Sequence, residues 1–360
     1  MFKALDLWLP AYLNRSRTDA EFRGTRHVLL CVCDHFEPFH DTDKAGALAR
    51  LAVWRREFPK LAGEFRDAGG EPPRQTFFYP IEQYDADVIG ELAGLCSDTR
   101  CEVEIHLHHD NDTAENLRRV LETGKENLAR HGLLSRDADG ALRYGFIHGN
   151  WALDNSHPQG RNCGVRNELA VLRDTGCYAD FTMPSVPSRT QTRTINSLYY
   201  ATATPAPKSH DRGFPARVGA KPPGDLLLVQ GPLGLNWQRR KFGVLPRIEN
   251  ADLTGANPPT PDRLRLWVQA NIHVAGRPDW LFVKLHTHGG IERNSTMLLG
   301  DAMRRFHRQL AATGGDLRFH YVTAREMVNI LHAAEDGHAG DPSGFRDCRY
   351  RPLPARTDFP

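Results

Sequence analysis

The chain has 360 residues, 40% hydrophobic and 25% charged, with 46 Lys and Arg against 44 Asp and Glu. This is the composition of an ordinary globular protein of one large or two modest domains, and it excludes disorder, collagen and coiled coil. A net charge of +2 lacks the basic excess that phosphate-backbone binding uses, so nucleic acid is not an expected partner. The longest apolar runs, Val28 to Cys33 and Leu226 to Val229, are strand-sized and far short of the roughly 20 residues that cross a bilayer, so no membrane span is expected.

The stretch Met1 to Pro10 carries Asp6 in a short apolar segment and has no positive region followed by an apolar core and cleavage site, so a cytoplasmic address is expected. Seven cysteines, an odd number with no Cys-x-x-Cys pair, predict reduced and mostly buried thiols rather than a disulfide framework. Seventeen histidines are the compositional anomaly, and several form His-x-His pairs at the ends of apolar runs.

In chain order, β-rich apolar runs predict strands at His27 to Cys33, Thr76 to Tyr79, Val103 to Leu107, Tyr144 to Ile147, Tyr178 to Phe181, Leu226 to Val229, Leu281 to Leu285 and Leu317 to Val322. Helical periodicity predicts helices at Ala45 to Phe65, Ala86 to Leu95, Ala114 to His131, Val165 to Asp174, Asp262 to Ile272, Leu299 to Ala312 and Ala324 to Ala333. Strand alternating with helix predicts an α/β fold with a parallel sheet. Seven or eight such units point to an irregular (β/α)7-8 barrel. Pro and Gly crowd between Thr182 and Pro261, which reads as an ordered insertion over the barrel mouth. The expected organisation is therefore a lead-in over 1–25, a barrel over 26–335 with its insertion at about 182–261, and an irregular tail over 336–360.

Reactive groups of such barrels collect where strands end, and the strand ends here are unusually polar. The first ends in Asp34-His35-Phe36-Glu37, the second in Tyr79-Pro80-Ile81-Glu82, and the third in Glu104-Ile105-His106-Leu107-His108-His109-Asp110-Asn111-Asp112. The fourth gives His148-Gly149-Asn150-Trp151, the fifth Asp180, and the seventh Lys284-Leu285-His286-Thr287-His288. Alternation along the third strand puts Val103, Ile105 and Leu107 toward the helices and Glu104, His106 and His108 toward the barrel axis. Neutral imidazoles with carboxylates suit zinc, or cobalt or manganese, and a three-ligand site with open positions is what metal-assisted hydrolysis needs.

In order and spacing these residues resemble the metal-dependent polysaccharide deacetylases. That family has an apolar strand ending in paired aspartates, a Thr-Phe-Phe strand, a strand ending in Glu-Ile-Gly-x-His with a second histidine four positions on, and a strand ending in Leu-x-His. This chain offers Val28 to His35, Thr76-Phe77-Phe78, Glu104-Ile105-His106-Leu107-His108 with Asp112 four positions on, and Val283-Lys284-Leu285-His286, over about residues 26–290. It departs from the pattern in having Asp34-His35 for the paired aspartates, Asp112 for the second histidine, and Phe146 to Trp151 in place of an Arg-Pro-Pro-Tyr motif.

The resemblance implies a hydrolase that removes N- or O-acetyl groups from a saccharide, or from a lipid- or nucleotide-linked sugar. Asp34, His108 and Asp112 would hold the metal, with His106 replacing Asp112 in a second arrangement. Asp34 or His35 would be the base, and His286 would protonate the leaving group. His148, Asn150, Trp151, Asp180 and His288 are candidate substrate contacts, whereas Glu37 and Asp41 read as solvated loop charges and Arg239-Arg240-Lys241 as an exposed face. Two other readings stand beside this one: a metallohydrolase of the amidohydrolase or histidinol-phosphatase type, suggested by the two His-x-His pairs, and a non-catalytic glycan-binding barrel. Nothing in the sequence indicates an oligomeric state.

Overall fold

A run such as Val28 to Cys33, apolar at every position, can be buried on both faces only in the middle of a layered α/β structure. The computed structural model, which describes residues 2–15, 22–220 and 222–354, puts it there. The strands are β1 (Arg26–His35), β2 (Thr76–Pro80), β3 (Glu102–Leu107), β4 (Ser135–Arg136), β5 (Leu142–His148), β6 (Cys177–Asp180), β7 (Leu198–Ala201), β8 (Phe214–Pro215), β9 (Leu226–Val229), β10 (Gly234–Lys241), β11 (Leu245–Glu249), β12 (Asp252–Leu253), β13 (Trp280–Thr287), β14 (Leu317–Tyr321) and β15 (Arg351–Pro352). The helices are α1 (Leu5–Leu13), α2 (Lys44–Gly63), α3 (Ala86–Thr99), α4 (Ala114–Arg130), α5 (Glu168–Asp174), α6 (Pro261–Gln269), α7 (Glu292–Leu298), α8 (Asp301–Ala312) and α9 (Ala324–Glu335).

The main sheet runs β12-β13-β1-β2-β3-β5-β6-β9-β7-β8, parallel from β12 to β9 and antiparallel where β7 joins β9 and β8 joins β7. β1 is long enough to have two neighbours on one side: Arg26 to Leu30 pair with β14, and Cys33 to His35 pair with β2. Among the described residues the ladder ends on β12 and β8, so its pairing defines a large, mostly parallel sheet rather than a closed ring.

The pleat sorts side chains into two cores. Val28, Leu30 and Val32 of β1, with Phe77, Tyr79, Val103, Ile105, Val283 and Leu285, pack against Leu51, Trp54 and Phe58 of α2 and Val88 and Leu92 of α3. The alternate residues Leu29, Cys31 and Cys33, with Phe78, Ile147, Leu227, Val229 and Phe282, form the second core together with α9. α9 is buried along its whole length and starts at a capping box, in which Thr323 accepts from the Glu326 amide while Glu326 accepts from the Thr323 amide.

All eight expected strands form. The helix expected over Leu299 to Ala312 is preceded by a further one, α7, and the Pro/Gly-rich stretch 182–261 adds β7, β8 and β12 to the main sheet and a separate hairpin of β10 and β11. The lead-in contains α1, whose Trp8 packs with Val186 and Leu233. The tail is more firmly held than an irregular surface segment: β15 pairs with β4, and Asn329 Nδ2 donates to the carbonyls of Arg346 and Tyr350. Its last residues, 355–360, lie outside the described residues, as do 16–21 of the lead-in. No disulfide joins the cysteines; six are buried and Cys348 is exposed. No helix among the described residues is long and apolar enough to cross a membrane.

Candidate metal centre

The carboxyl ends of β1, β2, β3 and β13 meet at one place because those strands are neighbours running in the same direction. Cys33 is in register with His286, His35 with Phe78, and Pro80 with His106. This alignment brings imidazoles from three strands into one cluster. The His35 ring stacks on His288 at 4.7 Å, meets His106 edge-on at 5.0 Å and lies 6.2 Å from His286, while His106 and His108 are 4.6 Å apart.

Glu37, two residues past the end of β1, reaches into this cluster. Its Oε1 lies 3.1 Å from His106 Nε2 and 3.4 Å from His108 Nε2, and these three residues form a convergent group of ligand atoms. The other nitrogen of each ring is already engaged. His106 Nδ1 donates to the Ile147 carbonyl at 3.1 Å, and His108 Nδ1 donates to Glu82 Oε1 at 2.6 Å. Both Nε2 atoms are therefore presented to the same point as the Glu37 carboxylate, with the ring orientations fixed by acceptors behind them, which is the usual build of a histidine metal site once the Nε2 protons give way to an ion. Gly149 makes room for this, since a Cβ there would sit 2.3 Å from His108 Cδ2.

The electrostatics set a charged Glu37–His108 pair among neutral imidazoles. Burial works to raise the Glu37 carboxyl, but the hydrogen bonds and charges of His106 and His108 outweigh it and hold it well below the usual range. Burial opposes charge on His108 too, yet Glu37 and Glu82 raise its imidazole to about 9. His35, His106, His286 and His288 go the other way: burial pushes each of them down, so they are neutral bases. The buried His35 Nδ1 and His286 Nδ1 have no hydrogen-bond partner. A cavity of about 200 Å³ opens beside them, lined by His35, Glu37, His40, His288, Arg293 and Asn294. A larger cavity of about 530 Å³, lined by Arg74, Glu102 and Arg346 among others, lies toward the amino-terminal end of β3, away from these imidazoles.

Of the expected ligands, His106 and His108 are in the group and Asp34 and Asp112 are not. Asp34 shares the pleat of Val28, Leu30 and Val32, and so faces the helix layer. It is fully buried, accepting from Gln75 Nε2 and, at 2.6 Å, from the Gly289 amide. Burial raises its carboxyl to about 8. Its role is to pin the loop after β13, and Gly289 must be glycine because a Cβ would fall 2.1 Å from the Asp34 carboxylate. Asp112 bonds instead to His109 Nδ1 at 3.1 Å and caps its own turn through the Thr113 amide. His35, His286 and His288 do converge on the centre.

The expected substrate contacts divide. Asp180 is buried, accepting from the amide and hydroxyl of Thr182, and burial lifts it to about 7. His148 is fully buried beside His109 and Glu168. Asn150 donates its amide to His148 Nδ1 at 3.2 Å, and Trp151, half-buried, turns the chain with φ 58°. None of these four lines the 200 Å³ cavity, whereas His288 does.

Sequence reasoning missed Glu37 and Glu82 as working residues. Glu37 read as a solvated loop charge, although its position two residues beyond a buried histidine at a strand end was a usable signal. Glu82, at the end of the second strand, was noted only as part of a polar strand end. No protein-family model matches this chain, and the curated proteins yield no match either.

Proposed function

We propose that the protein is a metal-dependent hydrolase whose ion is held by Glu37, His106 and His108. The observation that carries this reading is the convergence of those three ligand atoms, each imidazole backed by its own acceptor, beside an open cavity. Two nitrogens and one carboxylate oxygen form a donor set suited to zinc, or to cobalt or manganese, and three protein ligands leave positions for water and substrate. Such an ion, when bound, lowers the pKa of a coordinated water and polarises a carbonyl.

The chain's own residues supply the rest. Glu82 holds the His108 ring in place through Nδ1. His35, buried, neutral and with Nδ1 unpartnered, is the general base, and His288 stacked on its face keeps it oriented. Having taken the proton of the attacking water, His35 returns it to the leaving group, and His286, also neutral, stands 6.2 Å away as a neighbouring ring. Arg293 and His40 at the cavity wall offer hydrogen bonds to a polyhydroxylated substrate. The reaction class is deacetylation of a saccharide or of a lipid- or nucleotide-linked sugar, following the resemblance in strand order and spacing. A cytoplasmic site would favour a precursor over a finished polymer. The irregular (β/α) barrel belongs to the same reading: it is supported by the approach of Gly231, just after β9, to the Lys284 carbonyl of β13, where a Cβ would meet that oxygen at 2.6 Å.

The test is elemental analysis of the purified protein beside Glu37→Gln and His106→Ala, followed by acetate release from acetylated glucosamine oligomers. Loss of about one ion per chain in each variant, together with loss of acetate release, is the expected result for a hydrolytic metal centre. Variants with unchanged metal content overturn the ligand set, and a metal-loaded wild type that releases no acetate from any acetylated sugar overturns the substrate class.

A further inference from the structure

His108 and His109 are adjacent in sequence and point to different places. His108 turns to Glu37, whereas His109 turns to a second group made of His148 at the end of β5, Cys163 in the following loop and Glu168 at the start of α5. His109 Nε2 is 3.0 Å from Glu168 Oε1, His148 Nε2 is 3.9 Å from the same oxygen, and Cys163 Sγ is 3.5 Å from Glu168 Oε2. Around a tetrahedral zinc, ligand atoms stand about 3.3 to 3.8 Å apart, given bond lengths of about 2.0 to 2.3 Å.

We infer that His109, His148, Cys163 and Glu168 form a second, structural metal site that takes zinc. It is independent of the hydrolase reading. Three features separate it from an ordinary buried ion pair. His148 Nε2 is completely buried, has no hydrogen-bond partner and faces the group. The orienting contact expected behind a ligating histidine is present, since His109 Nδ1 donates to Asp112 Oδ2 at 3.1 Å. The charge also balances: a thiolate and a carboxylate with two neutral imidazoles neutralise a divalent cation completely, as suits a site with three of its four residues buried. Glu37, His106 and His108 supply only one negative charge and open onto a cavity, as a reactive centre should. None of the four residues of the second group lines that cavity.

Binding releases two protons to solvent, the one on Cys163 Sγ, because the thiolate is the ligand, and the one that His109 Nε2 holds toward Glu168 Oε1 at 3.0 Å. The ion takes the lone pair of His148 Nε2, so the ring proton sits on Nδ1, and the long 3.2 Å contact from the Asn150 amide is the hydrogen bond given up. The gain is a clamp joining the loop after β3, the end of β5 and α5, segments already bridged by the Asp112 amide donating to the Cys163 carbonyl at 2.9 Å.

The experiment is cobalt substitution of the full chain, read by absorption. A sulfur-to-cobalt charge-transfer band in the near ultraviolet is expected in wild type, in Cys348→Ser, and in His106→Ala or Glu37→Gln. In Cys163→Ser the band should vanish and the bound metal should fall by about one ion per chain, the share of a single four-ligand site. Wild-type protein that takes up cobalt without that band overturns the proposal, whether or not the variants fold. So does a band that survives Cys163→Ser.

Discussion

Glu82 never reaches the point where the three ligand atoms meet, yet the proposed centre depends on it. By accepting from His108 Nδ1 at 2.6 Å and from the His108 amide at 3.3 Å, it fixes both the tautomer and the angle of the ring. Glu82→Gln removes the charge that makes His108 Nε2 a strong donor and leaves the strand intact. Metal affinity at this centre should therefore fall about 10- to 100-fold, measured by competition with a chromophoric chelator, with no change in the far-ultraviolet circular dichroism. An unchanged affinity would show that Glu82 only packs. The same scale explains why Asp34, expected as a ligand, turns away from the imidazoles. Side chains alternate along a strand, so within β1 either Asp34 or His35 faces the second core, and the pleat of Leu29, Cys31 and Cys33 selects His35.

At the scale of elements, α9 is held by its apolar side chains in the second core and also by an ion cluster at its first turn. Glu326 caps the helix and also accepts from Arg74 Nη1 at 2.6 Å and Arg346 Nη1 at 2.9 Å, all three side chains being nearly inaccessible. Arg346 also donates to the Tyr321 carbonyl at the end of β14, so the cluster ties the tail, α9 and two strand ends together. Glu326→Gln leaves two buried guanidinium groups short of their shared counter-charge. It should destabilise the fold by about 3 to 5 kcal/mol, read from urea unfolding, because breaking a buried pair costs far more than the pair contributes net. A loss below about 1 kcal/mol, the range of surface pairs, would mean that water reaches the cluster. The sequence showed α9 only as a helix with Glu326 in its first turn. The partners come from residues 74 and 346, at distances along the chain that periodicity does not report.

Across the whole molecule, the buried histidines outside the two groups set a pH limit. Burial pushes the imidazoles of His307 and His210 down to about 3 and His320 to about 4, so they are neutral in the folded state. Unfolding returns them to the ordinary value near 6.5. Their folded values are depressed, so the stability they contribute is fully present above about pH 6.5 and is lost as the pH falls toward 4, by up to about 1.4 kcal/mol per pH unit for each proton taken up. The urea midpoint should accordingly drop between pH 7 and pH 5. In His307→Gln, which keeps a partner for the Tyr321 hydroxyl now 2.8 Å from Nδ1, the drop should be shallower by about one proton. Parallel curves for the two proteins would refute a neutral buried His307. At this scale the stretch 182–261 also acquires its meaning. Its first part completes the sheet through β7 and β9, its last part adds β12 beside β13, and between them the β10–β11 hairpin ends in Phe242, which is 91% exposed.

The sequence by itself determined the α/β class, all eight main strands and the convergence of polar strand ends. Continuous apolar runs and strand–helix alternation are local signals, and they carry through to a buried parallel sheet. It also marked His106 and His108 as a pair on one face, since a two-residue repeat on a strand has only one outcome. Tertiary structure alone decided which carboxylates accompany them. Glu37, Glu82 and Glu168 lie in a loop, a turn and a short helix, where no period governs direction, and each is aimed by contacts with residues far away in the chain. Only the register of β1 against β13 and β2 could assign Asp34 to Gly289 and His35 to the imidazole cluster, because one residue of slip would exchange them.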